Sequence, residues 1–205
     1  LGAAVRGFSF REEGPLDMRM DLSMELTAEK LLNESSAREL ERIFRSGDVG
    51  RFSGALANLI VQRRPLRTTI DLARICESVI RPSRRDSSRR LGTMHHPATV
   101  PFQALRMAVN DELGSLRRML DAIPTLLASG ARFAAISFHS LEDKDVARAM
   151  RRWARVEVEL RRLPLQESSL PLGKLLTKSA VTPGEGELSD NPRARSAMLR
   201  IFERH

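Results

Sequence analysis

The stretch from Arg132 to Asp143, R-F-A-A-I-S-F-H-S-L-E-D, constrains the fold most, because its character changes abruptly half-way along. A Ser129-Gly130 turn signal precedes a short apolar run, Phe133 to Phe138, rich in strand formers and too brief for a helix. Bounded in this way, the run predicts a strand buried on both faces of a parallel sheet. S-L-E-D then predicts the opening of a helix, with Ser140 as its cap and Asp143 as the answering acid three residues on. Strand, polar elbow and helix put Ser137, His139 and Ser140 at the carboxyl end of a strand, where open α/β sheets bind ligands. The same residues also suffice to cap and fill a tight turn, and the pattern alone leaves both readings open.

The bulk numbers narrow the classes. A chain of 205 residues suits one large domain or two small ones, and 41% apolar content supplies a core. Nothing in it approaches the roughly 20 apolar residues of a membrane span, and no cleavable signal peptide is visible. Leu1 stands where a native chain starts with methionine, so the N-terminus is expected to have been processed, cut away or not observed. Lys+Arg 34 against Asp+Glu 26 gives +8, a balance that suits a polyanion such as RNA or DNA. One cysteine, Cys76, excludes an internal disulfide and a cysteine zinc cluster and fits a reducing compartment. It falls in the apolar pattern of a helix, which predicts a buried structural thiol. No metal site is expected.

Taken in order, Gly7 to Asp21 has Gly14-Pro15 at its centre and reads as an ordered loop in which Asp17, Arg19 and Asp21 form a local salt-bridge set. From Thr27 to Arg81 the period is helical. Helices are expected to open at Thr27, at Ser36 with Glu39 as a capping box, at about Arg51, and at Thr68 with Asp71. Four short helices with no strand between them predict a separate helical subdomain. Arg81 to Arg90 carries five arginines among serines; it reads either as a solvated loop or as a phosphate-contacting arm. One long helix is expected from Phe102 to about Ile123, with Gly114 weakening it and Pro124 kinking or ending it. The elbow helix follows with an arginine-rich outer face (Arg148, Arg151, Arg152, Arg155), then strands over Leu175 to Thr182 and Ala197 to Glu203, separated by a loop from Pro183 to Pro192. Such an ending needs more parallel strands than the chain supplies, so the sheet is expected to be incomplete.

Four stretches in order carry a resemblance: G-F-S-F-R-E-E-G-P-L-D-M-R-M-D (7 to 21), H-P-A-T-V-P-F-Q-A-L-R-M-A-V-N-D-E-L (96 to 113), I-S-F-H-S-L-E-D (136 to 143) and N-P-R-A-R-S-A-M-L-R (191 to 200). Together they resemble the RsmH/MraW family of S-adenosylmethionine-dependent methyltransferases, which act on the N4 amine of a cytidine in small-subunit ribosomal RNA. The resemblance implies an α/β fold, a class I (Rossmann-like) doubly wound sheet, incomplete here, with an inserted all-helical substrate-recognition domain. On that view residues 1–25 are an N-terminal remnant of the methyltransferase domain, 26–97 the helical RNA-recognition insertion and 98–205 the C-terminal half. Its partners would be small-subunit ribosomal RNA and a small-subunit assembly intermediate, with no membrane; a homodimer is one assembly it allows. The compartment would be the bacterial cytoplasm, or alternatively the mitochondrial matrix.

The methylated cytosine amine is a poor nucleophile, so its base must be unstacked, held in line and given hydrogen-bond partners. Ser137, His139 and Ser140 are the first candidates to line that pocket, followed by Asp17 and Arg19, and then by His96, Thr99 and Gln103. Arg84, Arg85, Arg89 and Arg90 are the candidates for phosphate contact. In the family the adenosylmethionine site lies upstream and extends to a Leu-Gly pair; Leu1-Gly2 matches that pair, which leaves Gly2 as the one cofactor-binding position carried over. The chain departs from the family at Ala3-Ala4-Val5, where a longer polar segment is usual, at Ser46 to Ala55, at Val100-Pro101 in place of Arg-Thr, and at Ala131 in place of a second glycine. Those departures keep a rival class in view, a catalytically degenerate member acting as an rRNA-binding small-subunit assembly factor. A basic helical interaction module without an RNA role is a third reading.

Overall fold

A computed structural model of the chain describes residues 6–80, 96–155 and 171–205. It divides into two compact units, Leu1–Glu112 and Leu113–His205.

The first unit is helical. Its helices are α1 (Ala28–Glu34), α2 (Ala37–Ser46), α3 (Ser53–Gln62), α4 (Thr69–Val79) and α5 (Thr99–Val109), with a 3-10 turn over Gly50–Phe52 before α3. Local chemistry sets three of the starts. Thr27 accepts from the Lys30 amide at 3.1 Å, Ser36 and Glu39 close a reciprocal capping box, and Thr68 and Asp71 close another. Each cap satisfies amides that no helical carbonyl can reach, worth about 1 kcal/mol apiece. The apolar stripes then meet: Leu32, Leu40, Phe44, Leu56, Ile60, Leu72 and Leu105 are all fully buried in one cluster. Gly47, at the end of α2, permits the closest approach, because a Cβ there would fall 2.2 Å from the Cβ of Ala104 on α5. Cys76 is fully buried in the same cluster, and burial pushes its thiol up to about 12, as befits an inert structural cysteine.

The loop ahead of α1 is ordered by its own backbone. Met18 N–H donates to the Arg6 carbonyl at 3.0 Å, and the carbonyls of Asp17 and Leu16 accept from the first amides of α1, Ala28 and Glu29. Leu16 and Met18 point into the core. Gly7 has φ +70°, and a Cβ there would lie 2.1 Å from the Pro15 carbonyl oxygen. Only glycine fits that turn.

The second unit holds α6 (Glu112–Leu126, beginning at the unit boundary), β1 (Arg132–Ser137), α7 (Ser140–Trp153), β2 (Gly173–Leu175), the short α8 (Glu185–Asp190), a 3-10 turn at Pro192–Ser196 and β3 (Met198–Arg204). The sheet order is β1-β3-β2, and both pairings are antiparallel, with Arg132 opposite Glu203, Ser137 opposite Met198 and Gly173 opposite Arg204. Phe133 and Ala135 pack with Leu120, Val146, Met150, Trp153 and Phe202 into one core. Trp153 meets Phe133 and Phe202 edge-on at 5.9 and 5.3 Å, a preferred aromatic geometry. Across the sheet Glu203 binds both Arg132 (2.8 Å) and Lys174 (2.9 Å), and these two cations, Lys174 first, hold its carboxyl below the ordinary range.

Four expectations are corrected. β1 is not buried on both faces of a parallel sheet: its inner residues pack on the core, while Arg132, Ala134 and Ile136 on the other side are exposed, and among the described residues its one strand neighbour is antiparallel. The long helix is two, broken at Asn110-Asp111, where Asp111 has φ +45°, and Pro124 lies within α6. That break is fixed from outside the helix, since the Asn110 side chain accepts from the Met20 amide at 2.7 Å and donates to the Met18 carbonyl at 2.8 Å. The strand expected over Leu175 to Thr182 pairs only as Gly173–Leu175, with an isolated bridge from Val181 to Leu199 beyond it. The loop from Pro183 to Pro192 contains α8.

Candidate functional site

At the elbow after β1 the cap falls one residue earlier than predicted. His139 is the N-cap of α7: its Nδ1 accepts from the Leu141 amide at 3.2 Å, while Glu142 reaches back to the His139 amide at 3.3 Å. Ser140 is therefore the first helical residue, and Asp143 is released from capping to form a two-bond ion pair with Arg200 on β3, at 2.7 and 2.9 Å. That pair ties the start of α7 to the sheet and raises the Arg200 guanidinium further above its already high range.

Capping also fixes what His139 offers. A ring nitrogen that accepts an amide carries no proton, so the imidazole proton sits on Nε2 and makes that nitrogen a donor. Ser140 and Phe138 are exposed beside it, Phe138 at 59%. Ser137 lies on the inner side of β1, 6% exposed, with a long 3.5 Å bond from its hydroxyl to the Met198 carbonyl. The elbow thus presents a ring donor, a hydroxyl and an aromatic face at a helix N-terminus, where partial positive charge favours an electron-rich guest. Phe138 was not singled out from the sequence; the signal was an aromatic residue at the last position before the polar turn.

Further along, α7 turns Arg148, Arg151 and Arg152 outward. Asp145, nearly buried, holds both Arg117 and Arg148, and Asp121 holds Arg152.

Asp17 and Arg19, in the loop of the first unit, are partners. The Asp17 carboxylate takes the Arg19 Nε at 2.7 Å and its Nη2 at 3.0 Å, together with the Arg19 amide at 3.1 Å. Arg19 also donates to the carbonyls of Leu22 and Met24, so the pair staples the loop closed. The Arg19 hydrogen bond, above all, holds the Asp17 carboxyl below the ordinary range. Asp21, the third member of the expected set, instead accepts from the Ser23 amide at 2.9 Å.

His96, Thr99 and Gln103 gather at the start of α5 beside a cavity of about 330 Å³. Phe8, Phe10 and Phe102 supply its rings and Met18 its apolar wall, while Thr99, Gln103 and Arg106 supply polar edges. His96 stacks on Phe10 with ring centroids 4.5 Å apart, and Phe10 meets Phe102 edge-on at 5.0 Å. The His96 ring is held twice, its Nδ1 by the Ala98 amide at 3.2 Å and its Nε2 by Glu77 at 2.9 Å. Arg106 is consumed by Glu112 through two bonds of 2.7 and 2.9 Å. Nothing in the sequence marked Phe8 and Phe10 as functional, because the segment is irregular and has no period from which a common side can be read. Where the resembling family has Arg-Thr, Val100 packs on the core and Pro101 is buried in the first turn of α5.

Gly2, Arg84, Arg85, Arg89 and Arg90 lie outside the described residues. Among the described residues no glycine-rich turn follows a strand, since the β1 elbow is S-F-H-S, and Gly7 and Gly173 are closed against backbone oxygens. These residues therefore do not fit a cradle for adenosylmethionine. No group of three or more His, Cys, Asp or Glu placed for a metal occurs among them, and no helix among them is long and apolar enough to cross a membrane.

The chain is 45% identical over 204 residues to the ribosomal RNA small subunit methyltransferase H of Halothermothrix orenii, covering 97% of this chain and 63% of that protein. The proteins of the same name from Polynucleobacter necessarius and a Cyanothece species are 44% and 45% identical, over 98% and 100% of this chain and 62% and 61% of their own. The chain thus spans about three fifths of the length of the curated relatives it matches. It matches the MraW methylase family along residues 1–205, and on that match the chain belongs to this family.

Proposed function

We propose that this chain serves the S-adenosylmethionine-dependent methylation of the N4 amine of a cytidine in small-subunit ribosomal RNA, in ribosome biogenesis. The observation that carries the proposal is the family match along residues 1–205, supported by relatives whose name specifies the small-subunit ribosomal RNA methyltransferase. The sheet supports it too: β1 and β2 both run against β3 and hence along one another, as two strands of a larger parallel sheet with a reversed neighbour would. On this reading the helices between residues 26 and 97 form the RNA-recognition insertion.

The described residues hold and orient the base. His139 Nε2–H donates to the cytosine carbonyl or ring nitrogen, and the exposed Ser140 hydroxyl accepts from the amine N–H. Ser137 positions the strand end from within, as the Asp17–Arg19 pair does for the loop.

The test is methylation of unmodified small ribosomal subunits with tritiated adenosylmethionine, read as N4-methylcytidine after digestion. We expect His139→Ala to lose at least tenfold in rate and His139→Asn, which can still cap and donate, to recover part of it. Normal turnover by His139→Ala would overturn the assignment of the elbow. Binding of the subunit by the full-length protein without any methyl transfer would select the assembly-factor reading instead.

A further inference from the structure

The cavity beside α5 has a chemistry that the elbow lacks. Its walls are three phenylalanine rings and a methionine, and its polar edges are an amide, a hydroxyl and a guanidinium. That guanidinium is spent on Glu112, and the neighbouring His96 is spent on Glu77 and on the Ala98 amide. The Thr99 hydroxyl and the Gln103 amide are left with no hydrogen-bond partner among the described residues. A guest phosphate would therefore find no uncommitted cation within this wall. A flat neutral heterocycle, by contrast, would find faces to stack on and, in Gln103, an adjacent donor and acceptor matching the hydrogen-bonding edge of a nucleobase. A volume of about 330 Å³ lies within the range of small-ligand sites.

We propose that this cleft seats an unstacked nucleobase of single-stranded RNA, with Phe8 and Phe10 as the stacking residues and Gln103 reading the base edge. The proposal rests on the reading of the chain as an rRNA-acting protein and adds a base-holding subsite in the helical unit, built independently of the β1 elbow. Phe8 packs part of its ring against the core of this unit, stays half-buried, and has Arg6 over its ring 5.5 Å from the centroid, so the cleft assigns a second role to what remains exposed. The Met18 amide holds the Arg6 carbonyl just ahead of Phe8, and Asn110 in turn holds the backbone of Met18 and Met20.

The experiment is fluorescence anisotropy of a labelled oligocytidylate hexamer with the parent chain, Phe8→Leu and Gln103→Ala, at several salt concentrations, with circular dichroism melts to verify folding. Adenosylmethionine forms a second arm, because its adenine carries the same ring chemistry. Each variant is expected to bind the hexamer 5- to 50-fold more weakly with an unchanged salt slope, since a base contact and not a phosphate contact is lost. Hexamer affinity within twofold of the parent in both folded variants would overturn the cleft while leaving the rRNA reading intact. Loss of adenosylmethionine affinity with hexamer binding unchanged would assign the cleft to the cofactor and overturn the proposal. Failure of the parent chain to bind the hexamer at all would overturn the cleft, while the rRNA reading is decided separately by the subunit assay.

Discussion

Breaking the Asp143–Arg200 pair should loosen the elbow by an amount that its burial fixes. The two side chains are 14% and 13% exposed and joined by two bonds of 2.7 and 2.9 Å. Removing one partner of a fully buried pair costs about 3–5 kcal/mol, because the other charge is stranded. Here about a seventh of each side chain still meets water, which lowers the expected figure for Asp143→Asn to about 2–3 kcal/mol. Part of that is the loss of an acid from the first turn of α7, worth about 0.5 kcal/mol. Arg200→Met keeps the volume and leaves Asp143 at a helix N-terminus that tolerates it, so about 1–2 kcal/mol is expected. The double variant should cost less than the sum by about 1 kcal/mol or more, the coupling of the pair. Urea unfolding followed by Trp153 fluorescence suits the measurement, since that is the single tryptophan and it is buried in the core of the same unit. A slope of about 2 kcal/mol/M would turn 2 kcal/mol into a midpoint lower by about 1 M. Additivity within about 0.3 kcal/mol would refute the account, leaving the two residues as independent surface charges.

Two further outcomes concern the first unit. Gly7→Ala should cost about 3 kcal/mol in a thermal melt, since it combines a left-handed φ with a Cβ 2.1 Å from the Pro15 oxygen, whereas Gly50→Ala, at φ +69° with open space around it, should cost only about 1 kcal/mol; equal costs would show that the close approach is not real. The Asp17 carboxyl is held below its ordinary range by Arg19, so its contribution is fully present above the unfolded-state value near pH 4 and fades as the pH falls through the lower folded value. The protection of the loop amides, taken relative to their intrinsic exchange rates at each pH, should fall on acidification through that window, and Asp17→Asn should have lost it already at pH 7; identical acid profiles for the two proteins would count against the staple.

What the sequence made legible was local. The Ser36–Glu39 and Thr68–Asp71 boxes are reciprocal contacts across three residues, so residue type and spacing alone specify them. Cys76 was legible for the same reason, as one position in a helical apolar pattern. The long helix failed because its break at Asn110 is imposed by backbone groups of Met18 and Met20, to which no window of a few residues can point. Asp143 left the cap for a reason equally distant in sequence, since Arg200 claims it from β3. At the elbow the three polar residues divide the local roles differently from the expected cap: His139 caps, Ser137 turns inward and Ser140 stays exposed. The Phe8–Phe10–Phe102 cleft was invisible because it assembles an irregular loop with a helix some 90 residues on, and irregular segments carry no period from which a facing side can be read.

The Asn110 clasp also bears on how such a chain can vary. It closes a loop of 90 residues between Met20 and Asn110, and the entropy of closing a loop grows only with the logarithm of its length. Doubling the intervening segment would weaken the clasp by about 0.6 kcal/mol. Helices between these two points can therefore lengthen, shorten or gain turns over evolutionary time at little thermodynamic expense to the clasp. One asparagine and two backbone groups keep the ends in register while the region between them diversifies.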